Sequence, residues 1–269
     1  MLFRSESGQL LFARNLSSGM CHGLAFSADG ARLLVTSDAG GITVLASATG
    51  EVLQRVPTKR LRLRDLVRRP GRDEFLIGSA NGEVVVVDAA KLEPQKRMAP
   101  AKGEPVRNAL RTVVDPRGEC AVSCDPEVAL RAFAIEDQRE LWQRTDLKFL
   151  DAGFAPGGEL YASDTLGYVR QLDPQTGVEL RRFGRGTPHQ PVSHLQVTAD
   201  GARLVTTDQR VRIWDLVAGR ELIACDTDRY EPGVVLAVPE RGVLAAGGGY
   251  FTDPSELLLW PLVPMSAPK

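Results

Sequence analysis

Short apolar segments separated by polar turns recur along the whole chain. In the clearest copy the segments are Leu195 to Val197, Arg203 to Thr206, Val211 to Trp214 and Glu221 to Cys225. Asp200-Gly201, Asp208-Gln209 and Ala218-Gly219 stand between them. Runs of this length bounded by Gly, Asp and Asn predict β-strands joined by tight turns. Each copy therefore predicts four short strands.

One turn glycine marks every copy. The glycines are Gly30, Gly71, Gly118, Gly158, Gly201 and Gly242, separated by 41, 47, 40, 43 and 41 positions. Four-stranded repeats of about 40 residues are typical of β-propellers, in which each repeat forms one blade. The sequence predicts an all-β fold, a propeller of four-stranded antiparallel blades. It also predicts a single domain over residues 1–269, since a closed ring of sheets needs no division.

The residues of the fifth copy resemble the WD40 family. Val-Arg-Ile-Trp-Asp at Val211 to Asp215 is similar to that family's third-strand ending, and Ala199 to Gly201 is similar to its first turn. The resemblance implies a hydrogen-bonded network within the blade. Its members here are His189, Thr206 or Thr207, Asp208 and Trp214. The fourth and first copies repeat the pattern without the Trp-Asp pair.

The two chain ends predict how the ring closes. Six copies are counted, although seven blades are commoner in the WD40 family and stay an alternative. The sixth copy supplies three strands before the chain stops at Lys269. Gln9 to Asn15 follows the turn Ser7-Gly8 in the register of a fourth strand. We expect this N-terminal strand to pair with Leu257 to Trp260 and complete the last blade, which would remove unpaired sheet edges.

Composition narrows the classes of partner and the compartment. The formal net charge is −1, so no global field attracts nucleic acid or an anionic membrane. Neither a secretory signal nor an apolar run long enough to span a bilayer is visible. We expect a cytoplasmic protein, and the excess of 27 arginines over 6 lysines suggests a bacterial source.

The four cysteines are expected to be free. Cys120 and Cys124 lie four residues apart in one predicted strand, which places them about 13 Å from each other, too far for a disulfide. No Cys-x-x-Cys pair supports a zinc site. Free, buried thiols are the expectation for all four.

A basic rim is the main candidate for binding. The cations lie in the predicted loops or strand starts that enter the second, third and fifth blades: Lys59, Arg60, Arg62, Arg64, Arg107, Arg181, Arg182 and Arg185. Guanidinium groups bind carboxylate or phosphate bidentately, so an acidic protein or peptide is the expected partner. The alternative is a solvated charged loop. Nucleic acid is not expected, because no aromatic residues interleave with the arginines to stack bases.

An insertion in the sixth copy carries a second candidate contact. Tyr250 and Phe251 follow Gly247 to Gly249 and could stand exposed at a loop tip, where aromatic side chains often bind partners. The alternative is that both rings fold back onto the blade.

These features favour a non-enzymatic interaction scaffold that acts as a monomer or as part of a hetero-complex. Catalysis has little support, because none of the three histidines belongs to a nucleophile motif. No cofactor or metal is expected, because the WD40 resemblance gives the turn aspartates a structural role. Two alternatives stay open. The first is a metal-dependent hydrolase or lactonase of the six-bladed type, and the second is the sensor domain of a larger regulatory protein.

Overall fold

All regular structure that is described in the protein is β-strand. The computed structural model describes residues 2–3, 9–16, 21–37, 41–58, 63–80, 82–100, 111–184, 186, 191–226, 232–238, 243–248 and 256–261. The all-β prediction is confirmed for these ranges. Nowhere in them does a helix have the length and apolar character needed to cross a bilayer.

The strands form seven sheets, five of which have four strands. A two-stranded sheet consists of β1 (Leu2–Phe3) and β2 (Leu10–Phe12). Sheet 1 contains β3 (Cys21–Phe26), β4 (Arg32–Ser37), β5 (Gly41–Ala46) and β6 (Val52–Pro57). Sheet 2 contains β7 (Leu63–Arg68), β8 (Glu74–Ser79), β9 (Val84–Asp88) and β10 (Pro94–Met98). Sheet 3 contains β11 (Arg111–Val114), β12 (Cys120–Asp125), β13 (Ala129–Ala134) and β14 (Arg139–Arg144).

The remaining sheets follow the same order along the chain. Sheet 4 contains β15 (Phe149–Phe154), β16 (Leu160–Asp164), β17 (Tyr168–Leu172) and β18 (Glu179–Gly184). Sheet 5 contains β19 (His194–Val197), β20 (Arg203–Thr207), β21 (Arg210–Asp215) and β22 (Arg220–Asp226). Sheet 6 contains β23 (Pro232–Val238), β24 (Val243–Gly248) and β25 (Glu256–Pro261). The strands predicted for the fifth copy are therefore confirmed to within one residue at each end.

The predicted turn glycines explain why each first strand reverses where it does. Gly30 and Gly201 both have a φ of 69°, and Gly158 has a φ of 97°. This left-handed region strains residues that carry a Cβ, which accounts for glycine at these turns. The turn of the sixth copy, at Gly242, lies outside the described residues.

The chain divides into two compact units. One comprises Met1–Val128 and Phe133–Glu140, and the other comprises Ala129–Ala132 and Leu141–Lys269. Within the first unit the first strand of each sheet contacts the first strand of the next, β3 against β7 and β7 against β11. In the second unit β15 contacts β19, and β19 contacts β23. The prediction of a single domain over 1–269 stays a prediction.

Each unit has an apolar core between neighbouring sheets. In the first unit Leu34 and Ile42 of sheet 1 cluster with Phe75 and Val85 of sheet 2. In the second unit Phe183 of sheet 4 lies against Trp214 of sheet 5, with 5.6 Å between the ring centroids. Second strands are buried on both faces, as in β8 and β12. Burial of these apolar side chains is the main force holding neighbouring sheets together.

The predicted count of six complete blades and the predicted closure are wrong for the described residues. Only five sheets have four strands, and β23, β24 and β25 form a sheet of three. Instead of pairing with Leu257 to Trp260, β2 pairs antiparallel with β1, with Leu2 opposite Phe12. A short loop costs less chain entropy to close than a pairing between distant parts of the chain, which favours the local hairpin.

All four cysteines are free, as predicted, but they are not all buried. Cys120 and Cys124 are buried, Cys225 is half-buried and Cys21 is exposed. Cys21 is the first residue of β3, and its position at the end of the strand leaves it accessible to solvent. Burial, with a smaller effect of the nearby Asp115 carboxylate, raises the pKa of Cys120 to about 12.

Candidate partner-binding site

A cationic or imidazole side chain recurs at the start of the first strands. His22, Arg64 and Leu150 are the second residues of β3, β7 and β15, and Arg111 and His194 are the first residues of β11 and β19. Four of these five side chains are arginine or histidine, and three of the four lie in the first unit.

Bulges help to place these side chains. The pairing with the second strand shifts register between Cys21 and Gly23, and again between Leu63 and Asp65. His22 and Arg64 are the extra residues at those shifts. Because a bulge leaves its extra residue unpaired and re-aims its side chain, both side chains are displayed at the beginning of their strands. We refer to Arg64 and Arg111, together with the adjoining His22, as the first-strand cation site.

Arg64 and His22 contact each other across two neighbouring sheets. Arg64 Nη1 lies 2.9 Å from His22 Nε2. A guanidinium group can only donate, so His22 Nε2 is the acceptor in this contact. Arg64 Nε is buried and has no hydrogen-bond partner among the described residues.

A carboxylate beside each of two bulges fixes the neighbouring first strand. Asp65 Oδ2 accepts a hydrogen bond from Thr112 N at 2.8 Å, which joins β7 to β11. Asp151 Oδ2 accepts one from Leu195 N at 2.9 Å and also lies 2.5 Å from His194 Nδ1. In each case the donor is a backbone N–H at the start of the next first strand. These bonds hold the starts of consecutive first strands in a fixed arrangement.

Glycines in β3 and β8 allow neighbouring sheets to approach closely. A Cβ added to Gly23 would lie 2.6 Å from Leu66 N, and one added to Gly78 would lie 2.1 Å from Thr112 Oγ1. Either substitution would push neighbouring sheets apart. The position of Arg64 relative to His22 therefore depends on the small size of these residues.

Most of the residues predicted to bind a partner, in the basic rim and in the insertion, lie outside the described residues. This applies to Lys59, Arg60, Arg62, Arg107, Arg185, Tyr250 and Phe251. Arg64 lies in the first-strand cation site. The sequence analysis did not select His22 and Arg111. His22 lies eight residues before Gly30 and Arg111 lies seven residues before Gly118, close to the seven residues between Arg64 and Gly71, and this spacing could have identified them.

Arg181 and Arg182 lie within the fourth strand β18, and not in a loop or first strand as expected. Arg181 Nε donates to Gln171 Oε1 at 2.6 Å, and its terminal nitrogens donate to the carbonyl oxygens of Leu216 and Val217. Arg182 is exposed, 5.2 Å from the Tyr168 ring centroid. Arg181 thus has a structural role, which leaves Arg182 as the more accessible cation.

The network implied by the WD40 resemblance is present in part. Trp214 Nε1 donates to Thr206 Oγ1 at 2.8 Å, as expected. Thr207 Oγ1 lies 3.0 Å from Ser193 Oγ. Asp208 Oδ2 instead accepts from Arg212 Nε at 2.7 Å. His189 lies outside the described residues.

Arg212 is the member that the sequence analysis missed. Its side chain is buried between Asp208 and Glu221, whose Oε2 lies 3.0 Å from Arg212 Nη1. Burial tends to lower the pKa of Arg212, but hydrogen bonding and the charges of both carboxylates raise it above its usual value. Arg170 repeats the arrangement in sheet 4 with Asp164 and Glu179. The spacing of arginine and glutamate, nine residues in both sheets, was the available signal.

Comparison with known proteins adds no family assignment. No protein-family model matches the chain, and no curated protein matches it. Within the described ranges, no group of three or more His, Cys, Asp or Glu residues is placed to hold a metal ion.

Proposed function

We propose that the chain is a WD40-like β-propeller that acts as a non-enzymatic scaffold and binds an acidic protein segment. The propeller is supported by the succession of four-stranded sheets whose first strands contact each other within each unit. The Trp214–Thr206 hydrogen bond supports the WD40 resemblance. Fold alone does not determine function, so the argument for binding rests on the site.

The observation that carries the binding proposal is that Arg64 and Arg111 lie at the starts of two neighbouring first strands. A carboxylate is the acceptor that matches a guanidinium group best. Arg111 at the start of the next first strand adds a second positive charge. An extended segment with Asp or Glu side chains at intervals can reach both, and its partner residues would then replace water at the strand starts.

Selection of short random peptides on the immobilised protein tests this proposal. We expect the selected peptides to be enriched in Asp and Glu, and their affinity to fall with increasing salt, because exposed charge pairs are screened. Arg64→Gln should weaken binding about tenfold, the effect of one lost charge-assisted hydrogen bond. The matched control is Arg139→Gln, which removes an exposed arginine at the start of β14. Equal affinities for Arg64→Gln and the parent protein would refute the site.

A further inference from the structure

A second concave site lies at the opposite ends of β3 and β7 from the first-strand cation site. It has a volume of about 360 Å³ and lies between the turn that follows β3 and the turn that follows β7. Its lining includes Ser27 and Asp29 from the first turn and Gly71 and Asp73 from the second. Because β3 and β7 have six residues each and a strand rises about 3.3 Å per residue, the pocket lies about 17 Å from the bulges. Ligand binding here is therefore independent of the site proposed above.

Three arginines, Arg32, Arg68 and Arg72, line this pocket. Among the described residues, hydrogen bonds lower the pKa of the Asp29 carboxyl and the charge of Arg32 lowers it further, and no salt bridge joins any of the three arginines to a carboxylate. Arg69, in the same turn, provides the contrast. Its side chain is only 3% exposed and is paired with Glu74 and Glu136, each at 2.6 Å. Two carboxylates thus compensate the charge of the buried Arg69, whereas none forms a salt bridge to the pocket arginines among the described residues.

The pocket keeps a net positive charge. Asp29 and Asp73 supply two carboxylates against three guanidinium groups, a net charge of +1. Asp29 Oδ1 already accepts from Ser27 Oγ at 2.5 Å and from Ala31 N at 3.0 Å. Because these bonds shape the turn, Asp29 acts mainly as a turn residue. The hydrogen bonds of the turn also hold Arg32 N against Ser27 Oγ at 3.0 Å, which fixes where the Arg32 side chain begins.

We propose that this pocket binds a phosphate group, either as the free anion or as a phosphomonoester. Arginine matches phosphate because its planar fork donates two parallel hydrogen bonds to two oxygens. Three arginines that come from β4, β7 and the turn after β7 suit a tetrahedral anion better than a planar carboxylate, which has only two oxygens. The volume lies at the lower end of the range for small-ligand sites, about 300–1,000 Å³. Ser27 is largely engaged in its own turn, so the arginines carry recognition.

Calorimetric titration with inorganic phosphate and with O-phosphoserine at constant ionic strength tests the proposal, with chloride as the reference anion. We expect saturable one-to-one binding of phosphate. Replacement of Arg32, Arg68 and Arg72 together by Gln should weaken it at least about tenfold, since each residue contributes charge-assisted hydrogen bonds. Arg139→Gln, the matched loss of one exposed positive charge elsewhere, should leave binding unchanged. Circular dichroism checks that the triple variant is folded.

A further variant separates a phosphate site from non-specific attraction. Asp73→Asn removes a negative charge from the pocket wall. Because that charge repels phosphate, its removal should tighten phosphate binding. Tighter binding of O-phosphoserine than of inorganic phosphate would identify an ester as the ligand, and the reverse order would identify the free anion. Binding no stronger than that of chloride, or equal binding by the triple variant, would overturn the proposal. Weaker binding by Asp73→Asn would also overturn it.

Discussion

Arg212 shows how single residues stabilise a sheet interior. Its guanidinium group lies buried in β21 with Asp208 on one side and Glu221 on the other. A buried charge is tolerated only when it is paired and hydrogen-bonded. Loss of one partner therefore leaves a desolvated charge partly uncompensated.

Asp208→Ala should lower the free energy of unfolding by about 3 kcal/mol, the lower end of the effect of breaking a buried pair, because Glu221 still contacts Arg212. Equilibrium unfolding in urea measures the change. Asp137→Ala is the matched control, since Asp137 is exposed in the turn between β13 and β14. Its effect should stay within about 0.5 kcal/mol. Similar stability of both variants would mean that Asp208 does not compensate the charge of Arg212.

Thiol reactivity is a second property set at individual residues. Since the thiolate is the reactive form, the high pKa of Cys120, about 12, should make this thiol inert in the folded protein. In a titration with a chromogenic disulfide reagent, exposed Cys21 should react first. Cys120 and Cys124 should react only after urea is added. Loss of the fast phase in Cys21→Ser is the control, and fast reaction of all four native thiols would contradict the prediction.

At the scale of elements, the turn after β13 is tied to two places in sheet 2, the turn after β7 and the strand β10. Glu136 Oε1 accepts from Arg69 Nη2 at 2.6 Å, and Glu136 Oε2 accepts from Lys96 of β10. These hydrogen bonds, that from Lys96 first, lower the pKa of Glu136 from its usual 4.5 to about 2. The carboxylate therefore adds to the contact between sheets 2 and 3 while it is ionised.

The resulting pH dependence has a definite sign. A lowered pKa in the folded state means that the stabilisation is complete above pH 4.5 and is lost as the pH falls towards 2. Glu136→Gln should be less stable than the parent protein near neutral pH, and the difference should shrink across that interval. Thermal unfolding at a series of pH values measures it, with exposed Glu127→Gln as the control. A stability difference that is constant with pH would show that the charge of Glu136 is not responsible.

At the scale of the whole molecule, the predicted single domain can be tested by its cooperativity. The three tryptophans, Trp142, Trp214 and Trp260, all belong to the second unit. Tryptophan fluorescence therefore follows that unit, whereas far-ultraviolet circular dichroism follows the strands of both.

If residues 1–269 form one domain, the fluorescence and circular dichroism transitions should coincide, because units that share one core unfold together. We expect a single midpoint for both signals in urea. The control is Asp208→Ala, a change in the second unit that should shift both transitions equally. Fluorescence loss at a lower urea concentration than the loss of circular dichroism would show two independently folding units.

Local features of the chain were readable from the sequence because they depend on near neighbours. The turn glycines, the four strands of each copy and the Trp214–Thr206 contact follow from strand alternation and turn chemistry within about 40 residues. The wrong closure shows the limit of such reasoning. The register of Gln9 to Asn15 suited a fourth strand, but the local pairing of β2 with β1 prevailed.

Only the tertiary structure decided which charged groups meet. Arg64 and His22 are 42 residues apart in the chain, and Arg69 and Glu136 are 67 apart. Their contacts depend on bulges, on the close approach of first strands and on the packing of one sheet against the next. The phosphate pocket likewise combines Arg32 with Arg68 and Arg72 from a different sheet. A linear pattern supplies the residues, whereas long-range packing sets the distances between them.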